Sequence, residues 1–532
     1  MNAEQESKGG ILPIIAGVAL MGASVTALVL WHRQNQLLYG HDSHAHLAMT
    51  MRYADALGRG WPNLREVMAT QTAQHLPLFY LVTGAIAAVA DRVLWPLLTV
   101  IVVFWASAVA AMLAVGNLLF PKRWVALLPM LALLANPTFW ETGQSYNYET
   151  LMTAATCLLL LIFLTANKMP RWLYGLMLPA AAVLCLTKSV LLLPVLSLAV
   201  VLIAAAEPVD RKRLIWLTLV CVAVFAVWLF FRRDAAIREI TMVVGNQTGF
   251  ERGKGYFIEM LLGPYRGLVL LLALGWLVVR RLRRRRLSGL EVALAVYFLA
   301  PLALFSFLDN KWPWYLVAGY AAAPVWYLAA AKGERESAWV RRITAGLLVV
   351  YGFFALANVG VAATLSHKRL GLGEKYAGML QAEPPQPLER DIAHRLTARL
   401  DEDPQARIVV DCSQSPVPER RLTPIIFLDH PRLVVGDQIA IAHNLSPFVE
   451  SVIDVLPQAN WFYTFGDAWP QPDPARFDLE KPNQRKVYQT IIDAEALFAK
   501  QRQVGLPDGT PLSEFRRIIP STEGDESKSI EK

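Results

Sequence analysis

Long apolar stretches separated by short polar ones dominate the first two thirds of the chain. A bilayer crossing takes about 20 apolar residues, with a range of about 17–25. Stretches of about that length fall at 11–31, 93–115, 124–140, 148–166, 172–187, 189–206, 214–231, 263–279, 290–308, 313–331 and 343–365. Each predicts a helix, because only a helix or a closed barrel satisfies its backbone in lipid. Leu76–Ala90 is equally apolar but only about 15 residues long, short of a crossing. Past Ser366 no such stretch occurs. There Leu388–Leu400 has helical spacing, and Arg407–Asp411, Pro424–Leu428 and Arg432–Val435 read as short strands. The pattern predicts a mostly α, polytopic helical membrane protein over 1–365, with about 11 spans. A soluble α/β domain follows over 366–520, then a polar, disordered tail over 521–532.

Composition supports this. The chain of 532 residues is 55% hydrophobic and 18% charged, whereas a soluble domain is about 45–50% apolar and about 25% charged. Its net charge of +8 alone would suggest nucleic acid. The densest block, Arg280–Arg286, lies between two apolar stretches, so it reads as an anchor beside lipid headgroups. Cys157, Cys185 and Cys221 sit inside apolar stretches and Cys412 in polar sequence, with no disulfide or zinc spacing. Met1–Gly10 carries little positive charge and no cleavage pattern follows, so the first stretch is expected to remain a span.

Basic loops set the expected orientation. They lie at Pro121–Arg123, Lys168–Arg171, Asp210–Arg213, Arg280–Arg286 and Lys332–Arg342. If Leu76–Ala90 does not cross and the N-terminus is cytoplasmic, all of them face the cytoplasm. Leu76–Ala90 is therefore read as re-entrant or interfacial, within an outward loop over 32–92. The same argument places residues 366–532 outside, periplasmic in a bacterial-type inner membrane.

Polar groups at span ends carry the candidate chemistry, since ionisable residues near a bilayer are costly. The first outward loop opens with His41, Asp42, His44 and His46. On a helix Asp42 and His46 share a face, as do His41 and His44. A catalytic carboxylate, a divalent-metal cluster and a solvated helix start all fit that pattern. Further along stand Gln74-His75-Leu76-Pro77-Leu78-Phe79-Tyr80, Gly143–Glu149, Leu186-Thr187-Lys188 and Asp309-Asn310-Lys311-Trp312-Pro313. Lys188 also reads as a snorkelling anchor. Glu149 also reads as a helix-start charge. Tyr146, Tyr148, Trp312 and Trp314 read as interface-belt aromatics.

That series, in that order, resembles the GT-C superfamily of integral-membrane glycosyltransferases over about residues 11–330. The branch it resembles contains the protein O-mannosyltransferases and the lipid A aminoarabinose transferase. Asp42, in HDSHAHLAMTMRYADALGRGWP, stands where the family keeps an acid after its first span. His75-Leu76-Pro77-Leu78 stands at the family's Lys-Pro-Pro-Leu-like step, with His75 for the lysine and Leu76 for the first proline. Asn136-Pro137 and Tyr148-Glu149-Thr150-Leu151 are similar to the second acidic segment, with Glu149 for aspartate. Leu186-Thr187-Lys188 matches the family's Leu-Thr-Lys. The histidine cluster is no usual part of the pattern.

The resemblance implies transfer of a sugar from a polyprenyl-phosphate donor to a lipid, glycan or protein hydroxyl of the cell envelope, on the outer face and with inversion. Asp42 is then the candidate base, and Glu149 the residue that orients the acceptor. Lys188, with His75, Arg266 and Lys311, is a candidate contact for the leaving phosphate. The cofactor stays open between none and a divalent ion on Asp42, His44, His46 and Glu149. The expected partners are the lipid-linked donor, the acceptor and the bilayer, with no nucleic acid. The rival readings are a transporter or flippase of lipid-linked saccharides and a membrane-anchored partner protein working through 366–532. A transporter would more often show paired repeats, and none is visible.

Overall fold

The structure is a computed structural model. It describes residues 11–34, 43–70, 77–90, 94–121, 123–187, 192–233, 266–284, 287–307, 317–334, 337–364, 387–403, 406–411, 422, 439–442, 456–465, 467–470, 479, 482–506 and 508–518. The chain divides into two compact units. The first comprises Met1–His46, Tyr53–Ile86 and Trp95–Gln381; the second comprises Leu47–Arg52, Ala87–Leu94 and Ala382–Lys532.

The first unit is helical. Its elements, in whole or for α2, α4 and α5 in part, are α1 (Leu12–Gln34), α2 (Ser43–Arg59), α3 (Trp61–Thr70), α4 (Leu78–Val89), α5 (Leu94–Leu119), α6 (Leu128–Leu134), α7 (Pro137–Gln144), α8 (Glu149–Thr165), α9 (Arg171–Cys185) and α10 (Leu192–Ala205). They continue as α11 (Pro208–Phe231), α12 (Arg266–Arg283), α13 (Gly289–Phe307), α14 (Val317–Lys332) and α15 (Ala338–Ala363). Among the described residues four helices are long and apolar enough to cross a membrane: Leu12–Arg33, Trp95–Leu119, Arg211–Phe231 and Ala338–Ala363, of 22, 25, 21 and 26 residues. Shorter apolar helices, α4, α8 and α9 among them, accompany these. Phe230, Phe231, Val349 and Phe353 lie exposed on α11 and α15. Water does not tolerate such continuous apolar faces, whereas lipid does. The unit is a polytopic helical bundle.

Its core forms where α13 packs on α10 and α14, α12 on α14, α11 on α9 and α10, and α15 on α1 and α6. Within the stretch Leu76–Ala90, Leu78–Val89 forms α4, a helix of 12 residues, about 18 Å long at 1.5 Å per residue. That is well short of a hydrocarbon core of about 30 Å. One predicted span differs from expectation. Residues 124–140 form a 3₁₀ turn (Trp124–Leu127), α6, and then a break before α7. Pro137 supplies no backbone N–H, and the Asn136 side chain accepts from the Thr138 N–H at 2.9 Å, so a new helix starts there. The carbonyls freed at the end of α6 find side-chain donors. Trp140 Nε1 donates to the Leu134 carbonyl at 2.7 Å, and Asn358 Nδ2 donates to Leu134 and Ala135 at 3.1 Å each. A break inside an apolar core survives only with such partners. Asn358→Leu is therefore expected to lower stability by about 1–3 kcal/mol. Thermal unfolding in detergent, with helicity as the readout, checks this.

The basic block also departs from the anchor reading. Arg281 is buried and donates two bonds to Glu291, at 3.1 and 2.9 Å. Arg280 and Arg284 both pair with Glu334. Glu291 in turn accepts from the Ser288 backbone and hydroxyl, each at 2.7 Å. These three arginines clasp α12 to α13 and to the end of α14, because the buried Arg281 guanidinium and the buried Glu334 carboxylate each need a charged partner. Arg285 and Arg286 lie outside the described residues.

The second unit contains α16 (Pro387–Glu402), β1 (Ile408–Asp411), β2 (Ile439–Ala442), β3 (Trp461–Phe465), α17 (Pro482–Glu495), β4 (Phe498–Gly505) and β5 (Pro511–Arg517). The sheet order is β2-β1-β3-β5-β4, with β1 parallel to β2 and β3, and with β5 antiparallel to β3 and β4. Val409, Phe462, Phe498 and Phe515 pack with Trp469 and with Ile491 of α17. Buried Glu514 binds Arg399 of α16 and Arg502 of β4. Burial, with the Glu514 charge beside it, pushes the Tyr463 hydroxyl up to about 12. The predicted helix and first strand are present as α16 and β1; 424–428 and 432–435 lie outside the described residues.

Candidate functional site

The turn between α7 and α8 builds the centre of the region. After Gln144 the chain passes into extended backbone at Ser145. The Asn147 side chain then accepts from the Glu149 N–H at 2.6 Å, which starts α8 at that acid. Tyr146, Tyr148 and Glu149 are all buried, with exposures of 0%, 7% and 1%. An acid in the first turn of a helix meets the positive end of its dipole.

Side chains from distant segments fix α7. His32 Nε2 lies 2.8 Å from the Gly143 carbonyl oxygen, joining the end of α1 to it. A Cβ on Gly143 would fall 2.5 Å from the Trp105 ring, so only glycine lets this backbone lie against that indole. Trp105 Nε1 donates to the Phe139 carbonyl at 3.1 Å, and the Thr150 hydroxyl donates to that of Thr142 at 2.5 Å.

Against the turn lies an aromatic cluster from α2 and α4. His46 Nδ1 and the Tyr80 hydroxyl are 2.7 Å apart. The His46 ring meets Tyr148 edge-on, with centroids 4.8 Å apart and planes at 84°. Tyr53 stacks on Tyr80 at 5.6 Å, and Phe79 packs on Tyr146 at 5.7 Å. Burial, offset in part by the nearby Arg232 charge, pushes the Tyr53 hydroxyl well above the usual phenol range. It stays a proton donor. Leu78 N–H donates to the Leu186 carbonyl at 3.0 Å, which ties the start of α4 to the residue before Thr187. Arg232, at the end of α11, bonds the Ala69 carbonyl of α3.

The structure thus brings together the starts of α2, α4 and α8 and the end of α9, four of the segments marked in the sequence. Of the marked residues, Glu149 and His46 are described: His46 packs on the Tyr148 ring, and Glu149 follows Tyr148 in the chain. Asp42, His75, Lys188 and Lys311 lie outside the described residues, as do the side chains of His44 and Arg266. The interface-belt reading of Tyr146 and Tyr148 is overturned, because both are enclosed by protein. Trp312 and Trp314 lie outside the described residues. Among the described residues no three of His, Cys, Asp and Glu group as a metal site would require. Sequence reasoning missed the structural roles of His32, Trp105 and Tyr53. For His32 a signal existed, an ionisable residue at the end of an apolar run.

Compared by structure, the chain matches ArnT from Cupriavidus metallidurans bound to undecaprenyl phosphate, with a TM-score of 0.58 and 14% identity, over 94% of this chain and 97% of that one. The apo form of the same protein matches with a TM-score of 0.56 over the same shares, again at 14% identity. The apo oligosaccharyltransferase of Archaeoglobus fulgidus matches with a TM-score of 0.52 and 11% identity, over 97% of this chain and 75% of that one. The chain shares the fold of these proteins. By sequence, no protein family and no curated protein matches it. The shared fold extends over nearly the whole chain, beyond the 11–330 where the motif series runs.

Proposed function

We propose that the chain is a membrane glycosyltransferase. It moves a sugar from a polyprenyl-phosphate donor to a hydroxyl of a cell-envelope acceptor, on the outer face of the inner membrane and with inversion. The observation that carries this reading is the fold agreement, over nearly all of both chains, with an ArnT structure holding undecaprenyl phosphate. The meeting of α2, α4, α8 and α9 supports it, because each of those segments bears a residue of the motif series.

In this reading Asp42, which immediately precedes α2, takes the proton of the acceptor hydroxyl as its oxygen attacks the anomeric carbon. Partial desolvation makes a carboxylate a better base than it is in water. The sugar–phosphate bond breaks on the opposite side, and the developing phosphate charge needs a cation. Lys188 follows Thr187, at the end of α9, and is the first choice. Arg266, the first residue of α12, Lys311 and His75 are the further candidates. Glu149 orients the acceptor from the start of α8. If a divalent ion takes part, Asp42 and Glu149 supply the oxygen ligands that hard cations prefer, while His46 already uses Nδ1 on Tyr80.

The orientation follows from the basic loops and belongs to the same proposal. A reporter fused after Arg286 is expected in the cytoplasm, and reporters after Arg92, after Ser366 and at Lys532 outside. Fusions scored by paired enzymatic reporters test it. A cytoplasmic signal after Arg92 would make α4 a crossing and reverse the assignment of the basic loops.

A further inference from the structure

His46 is a metal candidate in the sequence, and in the fold it lies among aromatic side chains. It is 3% exposed, and among the described residues its ring contacts come from two other helix starts. Tyr80 of α4 sits 2.7 Å from Nδ1, and Phe79 lies edge-on at 6.2 Å. Tyr148, the residue before Glu149, lies edge-on at 4.8 Å. Tyr80 is itself held by the Tyr53 ring, two turns along α2 from His46. His46 lies in the first turn of α2, four residues after Asp42 in the sequence. The ring therefore joins the helix that follows one candidate carboxylate to the helix that begins with the other.

We propose that His46 is a positioning residue which, through Tyr80 and Tyr148, fixes the start of α2, the helix that Asp42 precedes in the chain, against the start of α8, which Glu149 begins. It touches neither donor nor acceptor. The proposal rests on the glycosyltransferase reading, because the two acids matter as a pair only there. Its chemistry needs the Nδ1 bond and the ring edge, not a charge on the imidazole. A ring packed on three aromatic side chains has little room to shift, and a misplacement of about 1 Å between reacting groups costs up to about 100-fold in rate.

The test uses the full chain in proteoliposomes, with a polyprenyl-phosphate sugar as donor and mass detection of the product. His46→Ala and Tyr80→Phe are each expected to lower kcat by roughly 10- to 100-fold with KM for the donor within about twofold of the parent. The double variant is expected to be no slower than the worse single one, because the two act through one bond. His46→Asn places an amide where Nδ1 stood and is expected to recover much of kcat, whereas His46→Gln reaches to the Nε2 position and is not. Unchanged kcat in His46→Ala, additive losses in the double variant, or equal activity of the Asn and Gln variants would each overturn the proposal. Recovery of His46→Ala by added Mg²⁺ or Mn²⁺ would overturn it in favour of a metal ligand. A parent protein with no transfer at all would sink the glycosyltransferase reading and, with it, this role.

Discussion

Asp42→Asn is expected to enter the membrane, fold and bind donor lipid as the parent does, and to lose sugar transfer by about 10²–10⁴-fold. The substitution keeps the size of the side chain and most of its hydrogen bonding while removing the base. A carboxylate just after the first span is costly unless it is used, and Asp42 immediately precedes a helix whose first turn packs into the aromatic cluster. The measurement is single-turnover transfer with donor bound in excess, alongside equilibrium binding of the donor lipid. Loss of transfer with binding intact assigns Asp42 to the chemical step. Loss of both would make it a binding residue. Parent-level transfer would remove the mechanism and leave transport of a lipid-linked saccharide as the better reading.

Lys188→Met is expected to fold normally and to slow transfer by about 10²–10³-fold. Removing one donor from a developing oxyanion costs about 2.7–4 kcal/mol in comparable sites. Methionine keeps most of the length of the stem, so packing changes little. Lys188 is one residue beyond Thr187, which the Leu186–Leu78 bond fixes beside the start of α4. The loss should fall on kcat/KM and grow with the charge carried by the leaving group. A donor analogue with a neutral leaving group should react alike with parent and variant. Near-parental turnover with the natural donor would return Lys188 to a snorkelling side chain.

The helices were legible because an apolar stretch bounded by charge has few other fates near a bilayer. The lengths of α1, α5, α11 and α15 follow the hydrophobic pattern closely. The break at Asn136 was harder to see, since apolar residues flank it on both sides and only the Asn-Pro pair signals it. Its partner Asn358 lies 224 residues from Leu134. The aromatic cluster was hidden for the same reason. Nothing local to His46 points to Tyr80, 34 residues on. The clasp of Arg281 on Glu291 was within reach, being 10 residues apart, but the density of arginines there favoured an anchor. In the second unit β4 escaped notice because Lys500, Gln501, Arg502 and Gln503 face solvent and break the strand alternation. At the site, the segments carrying the chemistry were legible as a series, and how His46 and Tyr148 hold them together was not.

The central claim is that sugar leaves its lipid phosphate at this protein. Purified protein is reconstituted in sealed vesicles with a labelled polyprenyl-phosphate sugar and an envelope glycolipid or glycan as acceptor, and the sugar and the freed polyprenyl phosphate are followed together by mass. The account predicts that the acceptor gains one sugar for each polyprenyl phosphate released, and that Asp42→Asn stops both. Movement of intact donor from one leaflet to the other, with no sugar on any acceptor and no phosphate freed, would contradict it.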